Sequence, residues 1–203
     1  MNESAPRRLS VLVSLVALLL LGACRGEAGG PPPLDGVPMG GPFTLTDQNG
    51  RRVSDTQFAG KYRLVYFGFT FCPDVCPTDL QAIGAGLRRF EQSDPARAAR
   101  VQPIFITVDP RRDTPPVMRA YVANFHPRLI GLTGSEQEIA EVARRYRIYY
   151  QRGAAPAGQP ADQYGVDHSR QTVLYGPDGK PITLVRADEG AETVAQELDR
   201  WVR

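Results

Sequence analysis

Apolar positions along the chain fall into distinct patterns, and their order predicts the architecture. Residues 43–46 (Phe-Thr-Leu-Thr) and 51–53 (Arg-Arg-Val) flank Asp47-Gln48-Asn49-Gly50, and an Asn-Gly between two short alternating runs predicts a β-hairpin. Residues 63–69 (Arg-Leu-Val-Tyr-Phe-Gly-Phe) and 101–108 (Val-Gln-Pro-Ile-Phe-Ile-Thr-Val) are near-continuous apolar runs rich in β-branched and aromatic residues. Such runs predict strands covered on both faces, at the centre of a sheet. Between them Leu80, Ile83, Leu87 and Phe90 recur at helical spacing within residues 78–90.

The alternation continues downstream. Asp113-Thr114-Pro115-Pro116 reads as a capping residue followed by first-turn prolines, opening a helix through Phe125. Residues 129–132 form a short strand, and Ser135 with Glu138 makes a capping box for a helix through Tyr146. Residues 147–151 continue extended, and 153–161 are a Gly/Ala/Pro loop. Residues 171–175 and 181–185 form a second hairpin around Pro177-Asp178-Gly179. A last helix over 190–202 carries Val194, Leu198 and Trp201 on one face. Strands alternating with helices, then a hairpin and a closing helix, predict an α/β protein with the thioredoxin-like order: a central mixed sheet flanked by helices, preceded by an N-terminal β-hairpin.

The N-terminus follows a different pattern. Arg7 and Arg8 precede an apolar stretch over 9–21, too short to span a bilayer comfortably, which runs into Leu21-Gly22-Ala23-Cys24. A charged start, a short apolar run and small residues before a junction make an export signal. The cysteine after small residues resembles the bacterial lipoprotein pattern, with Cys24 lipidated as the new N-terminus; an ordinary signal peptide or an uncleaved anchor are the alternatives. Lipid on Cys24 would hold the protein at a membrane surface without a transmembrane helix. Residues 24–41 are rich in Gly and Pro and show no periodicity, which predicts a flexible tether. The expected organisation is therefore a signal peptide over 1–23, a tether over 24–41 and one folded domain over 42–203.

Charge adds little beyond an exclusion. The formal net charge is +2 and no basic block is dense, so nucleic acid is not an expected partner. Cysteine usage says more. The chain has three cysteines, and setting Cys24 aside leaves the pair Cys72 and Cys76 in an exported domain. Thiols persist in an oxidising compartment only if they are kept reduced or metal-bound.

Cys72 and Cys76 fall between the first central strand and the next helix, at the carboxyl edge of the sheet, where α/β folds place their sites. A helix N-terminus stabilises thiolate over thiol, and thiolate is both the nucleophile of disulfide exchange and a metal ligand. Three residues, Pro73, Asp74 and Val75, separate the cysteines. That spacing allows a disulfide if the Cα atoms come within roughly 7 Å, and equally allows both sulfurs to pinch one ion. Two thiolates alone make a linear site for Cu(I); a neutral imidazole completes a trigonal one. His168, just before the strand from Gln171, is the candidate third ligand, with Asp167 able to orient its ring or merely to cap a turn. His126 competes and reads as a structural residue at a helix end. Structural zinc takes four protein ligands, and only three are found. A peroxidase reading is weak, because Phe69 stands three positions before Cys72 where such enzymes carry threonine. A copper site and a dithiol/disulfide couple both remain open.

With Phe69-Thr70-Phe71-Cys72-Pro73-Asp74-Val75-Cys76-Pro77, Val108-Asp109-Pro110-Arg111-Arg112-Asp113-Thr114-Pro115, Phe125-His126-Pro127-Arg128 with Gly131-Leu132-Thr133-Gly134, and Val166-Asp167-His168-Ser169, the chain resembles the SCO/SenC family over residues 43–201. The resemblance implies a thioredoxin-like, membrane-tethered copper protein facing the periplasm. Family members deliver copper to the binuclear copper centre of cytochrome c oxidase subunit II, or keep its cysteines reduced. Residue by residue, it puts Cys72, Cys76 and His168 on the copper ligands, and Asp109 on an acidic position serving metal transfer or partner docking. The implied partners are subunit II or its assembly factors, with the membrane reached through the lipid anchor. Many relatives use a transmembrane helix where this chain offers a lipobox.

Overall fold

All seven residues of β3 (Tyr62–Gly68) are buried, and six of the seven in β4 (Val101–Thr107) are. They pair in parallel with Tyr66 beside Phe105 and Gly68 beside Thr107. These are the two continuous apolar runs of the sequence, and burial on both faces is why they do not alternate. The computed structural model describes residues 30–203; the predicted export signal, Cys24 and the start of the predicted tether lie outside the described residues.

Around this pair the sheet grows to seven strands, in the order β2 (Arg52–Ser54), β1 (Thr44–Asp47), β5 (Ile130–Thr133), β4, β3, β8 (Thr172–Tyr175), β9 (Pro181–Val185). The hairpin of β1 and β2 joins antiparallel to β5, which lies parallel to β4. On the other side β8 pairs antiparallel with β3, and β9 closes that edge. A separate two-stranded ribbon consists of β6 (Tyr150–Arg152) and β7 (Val166–His168). The sheet is mixed, as expected.

The helices are α1 (Val75–Ser93), α2 (Pro95–Ala98), α3 (Pro115–Val122), α4 (Glu136–Arg145) and α5 (Ala191–Trp201). α1 buries Leu80, Ile83, Leu87 and Phe90, the stripe read from the sequence. It packs on α5 so closely that a Cβ at Gly86 would lie 2.5 Å from Val194. α3 covers β5 through Met118 and Val122, which stand over Gly131. The Ser135–Glu138 capping box forms in full. No helix among the described residues is long and apolar enough to cross a membrane.

Three expectations differ from the structure. α1 starts at Val75, three residues before the apolar stripe suggested, so Cys76 lies within its first turn. Asp113 does not cap α3; the N-cap is Thr114, and the Asp113 side chain is fully buried elsewhere. The third concerns the tether, because residues 34–41 lie against the domain and the folded unit begins at Pro33. The Leu34 N–H donates to Ile182 O (3.0 Å), and Gly40 N–H to Arg145 O (2.9 Å). Arg147 Nε donates to Pro38 O (3.1 Å), and Leu34 and Met39 pack on the core. Gly and Pro cannot make a periodic element, but backbone bonds and two apolar side chains suffice to dock an irregular strand.

Candidate metal centre

Residues 69–74 connect β3 to α1 and carry Cys72, while Cys76 follows one turn later. Asp74, the N-cap of α1, makes no side-chain capping bond. The Cys76 N–H instead points at the Cys72 sulfur, 3.4 Å away. That sulfur thus receives one of the first-turn N–H groups for which a helix has no internal acceptor. A hydrogen bond from the Cys76 thiol outweighs partial burial and, with help from the backbone N–H groups of Asp74 and Cys76, holds the Cys72 pKa down to about 3. The same contact, reinforced by burial, pushes Cys76 far above the ordinary thiol range. The reduced pair is therefore one thiolate and one thiol. Cys76 has no exposed surface, whereas Cys72 is half-buried and faces outward; neither is bridged.

The buried sulfur occupies a space that only glycine leaves open. A Cβ at Gly68 would lie 2.8 Å from Cys76 Sγ and 3.1 Å from both Phe105 and Tyr66. An isolated glycine in an apolar strand run signals close approach, so Gly68 was readable as a site residue from the Phe67-Gly68-Phe69 at the end of that run.

His168 lies at the end of β7 rather than in an open loop, opposite Tyr150 in the ribbon. Its Nε2 stands 3.4 Å from Cys76 Sγ and its Nδ1 is 3.1 Å from Ser169 O. A carbonyl oxygen only accepts, so Nδ1 carries the proton and Nε2 turns its lone pair toward the sulfurs. The ring meets Phe69 edge-on at 5.8 Å. The ligand atoms of Cys72, Cys76 and His168 all lie within 4.8 Å of one another. A trigonal ion with bonds of about 2.0–2.3 Å needs its ligand atoms roughly 3.5–4 Å apart, so small side-chain adjustments would seat one. Two sulfurs and one imidazole form a soft donor set, suited to copper more than to hard cations.

The other sequence candidates separate from this cluster. Asp167 is exposed, and Ser169 O rather than the Asp167 carboxylate takes the imidazole N–H. Asp109 has no exposed surface. It pairs with Arg112 Nε at 2.5 Å and accepts from Tyr164 OH at 2.8 Å. Neither direct docking nor metal transfer suits a carboxylate so enclosed; its role is to hold the loop that leads into β7. Arg112 extends that hold with bonds to Asp162 O and Tyr164 O, both 2.9 Å, and stacks 3.8 Å from the Tyr164 ring centre. His126 is buried, with Nε2 3.4 Å from Glu91, and burial lowers its pKa against the opposing effect of that carboxylate. It is not part of the thiol cluster.

Two supports escaped the sequence reading. Asp113 accepts from Thr70 N (3.0 Å), Thr70 Oγ1 (2.5 Å) and Thr107 Oγ1 (2.5 Å), pinning the cysteine loop to the end of β4. Burial raises its pKa, the hydroxyl and amide donors opposing. Asp79, one turn beyond Cys76, is gripped by both arms of Arg170 at 2.6 and 2.8 Å. The Asp113–Thr70 and Asp79–Arg170 bonds cross 43 and 91 residues of chain, and no local pattern announces them. Outside the cluster the face carries two exposed aromatics, Phe71 (53%) next to Cys72 and Tyr149 (60%), whose N–H donates to Ser169 Oγ.

Comparison with known proteins gives a consistent picture. A family model described as SCO1/SenC matches residues 32–203. The mitochondrial SCO2 homolog of Bos taurus is 44% identical over 160 residues, covering 79% of this chain and 58% of that protein. The chain thus spans about three-fifths of the length of that curated relative. The copper-bound structure of Bradyrhizobium japonicum ScoI aligns with a TM-score of 0.71 at 41% identity, covering 80% of this chain and 99% of that one. A structure of BsSco, described as a member of the Sco family of cytochrome c oxidase assembly proteins with a disulfide switch, shares the fold at a TM-score of 0.58 and 24% identity, covering 84% and 97%.

Proposed function

This chain belongs to the SCO1/SenC family, and on that premise we propose that it is a copper chaperone of cytochrome c oxidase assembly. Copper is its cargo, held by Cys72, Cys76 and His168 and delivered to the binuclear copper centre of oxidase subunit II. The carrying observation is the His168 Nε2 placed 3.4 Å from the Cys76 sulfur and within 4.8 Å of the Cys72 sulfur, with Nδ1 engaged by the Ser169 carbonyl. A pure dithiol catalyst has no need of an imidazole there. One pre-formed thiolate lets the ion bind with release of a single thiol proton. Half-exposure of Cys72 lets an incoming thiolate share the ion before His168 and Cys76 let go. Transfer by ligand exchange requires no general acid or base. Titrating the reduced full chain with copper, anaerobically, beside Cys72→Ala and His168→Ala variants tests the proposal. Unchanged stoichiometry and absorption in both variants would refute it.

A second reading rests on the asymmetry of the thiols. Cys72 is a half-exposed thiolate at a helix N-terminus and Cys76 a buried thiol, the attacking and resolving pair of a thiol–disulfide oxidoreductase. Cys72 would attack a substrate disulfide and release one thiolate. Cys76, losing its proton, would then displace the second substrate thiol, leaving a Cys72–Cys76 disulfide and a substrate reduced by two electrons. The two activities are compatible, because a copper acceptor built from cysteines must first be reduced. A Cys76→Ser variant that traps no partner as a mixed disulfide would count against this one.

The lipobox at Cys24 supports a lipid-anchored protein whose domain works outside the cytoplasmic membrane. Exposed Phe71 and Tyr149 flank the face through which an oxidase subunit or assembly factor would approach.

A further inference from the structure

Beneath the proposed copper ligands lies a charged pair that metal binding and thiol chemistry leave unused. Asp79 is on α1, three residues after Cys76, with its side chain 2% exposed. Arg170 is two residues after His168 and reaches in from the surface, its side chain 41% exposed. Nε meets Oδ2 at 2.8 Å and an outer nitrogen meets Oδ1 at 2.6 Å, so both carboxylate oxygens are engaged by a planar fork. This contact holds the Arg170 pKa above its ordinary value.

We propose that the Asp79–Arg170 pair is the positioning device that holds the His168 imidazole against the two cysteines. The inference deepens the copper reading and rests on it. His168 is at the end of a ribbon that shares no ladder with the main sheet. From the far end, Arg112 ties that ribbon down through Asp162 and Tyr164. At the His168 end, Ser169 and Tyr149 bond within the ribbon itself. Arg170–Asp79 is the ion pair that joins the His168 segment directly to the helix bearing Cys76. A bidentate pair fixes orientation as well as distance, which a single lysine contact does not. Removing Arg170 altogether would strand a buried carboxylate, so loss of fold alone would not discriminate a positioning role from a merely structural one. The pair therefore has to be probed by changing the fork while keeping the charge, or by neutralising both partners.

The test uses the reduced full chain with Arg170→Lys, which keeps a cation for Asp79, and with Asp79→Asn/Arg170→Gln, which removes both charges. Cu(I) affinity is measured by competition with a chromophoric chelator, each variant made in the wild-type and His168→Ala backgrounds. Outer partners of metal-ligating histidines typically carry about 10–100-fold in affinity, and a loss in that range is expected with His168 present. With His168 absent, no further loss is expected, because the pair acts through the imidazole. A second readout needs no metal: the His168 ring signals of the copper-free protein should shift or broaden in Arg170→Lys. An unchanged affinity, or an equal loss in both backgrounds, overturns the proposal. If His168→Ala itself binds copper like wild type, the copper reading fails instead. The ring signals then decide, and unchanged signals overturn the positioning role.

Discussion

Nε2 of His168 lies 3.4 Å from the sulfur of Cys76, although 92 residues separate them in sequence. The tautomer is set on the opposite side of the ring, where Nδ1 donates to the Ser169 carbonyl. In the reduced, metal-free protein, nitrogen NMR of the neutral His168 ring should therefore report the Nδ1-protonated tautomer. Finding the Nε2-protonated form would mean that the lone pair faces away from the sulfurs.

The two thiols should behave as different chemical species. A hydrogen bond from Cys76 keeps Cys72 ionised down to a pKa of about 3, while Cys76 stays protonated. Alkylation of the reduced protein should modify Cys72 first, at a rate nearly flat from neutral pH to mildly acid pH. An ordinary thiol, titrating near 8.5, would slow about tenfold per pH unit over that range. Stability should follow the same linkage. The folded pKa of Cys72 lies below its unfolded value, so its contribution is present in full above about pH 9 and is lost as pH falls toward 3. Cys76, its pKa raised in the fold, opposes this only at the top of the window, where the unfolded thiol ionises, and adds no slope below about pH 7.5. Denaturant unfolding of the reduced protein should weaken with falling pH more steeply than that of Cys72→Ser.

Gly68→Ala tests the close approach under the site. Its Cβ would stand 2.8 Å from Cys76 Sγ and 3.1 Å from ring carbons of Phe105 and Tyr66, none of which has room to retreat. Overpacking of this kind costs about 1–3 kcal/mol. The variant should lose that much in denaturant unfolding, and its copper affinity should fall as the sulfur is displaced. Wild-type stability together with wild-type affinity would show that the strand end gives way freely.

How far the chain declared itself depended on whether each interaction was local. β3 and β4 were legible because burial on both faces writes an unbroken apolar run. The Ser135–Glu138 box was legible because both of its bonds stay within four residues. Asp113 misled, since Asp-Thr-Pro-Pro is also a helix-start sequence, and its real partners include Thr70, 43 residues away. Asp109 looked like a docking carboxylate until Arg112 and Tyr164 enclosed it. Residues 34–41 carried too few apolar positions to suggest docking, which rests on backbone bonds to Ile182 and Arg145. The cysteine pair and His168 were readable as ligand types, but the support of His168 by Arg170 and Asp79 was not, because a 91-residue ion pair leaves no periodic trace.

The most direct measurement is Cu(I) and Cu(II) binding to the reduced full chain, wild type beside His168→Ala, read by stoichiometry and by sulfur-to-copper charge-transfer absorption. The account predicts one copper per wild-type chain with intense thiolate bands, and weaker binding with altered bands once the imidazole is gone. Identical spectra and affinities for the two proteins would contradict a three-ligand copper site and leave a bare dithiol.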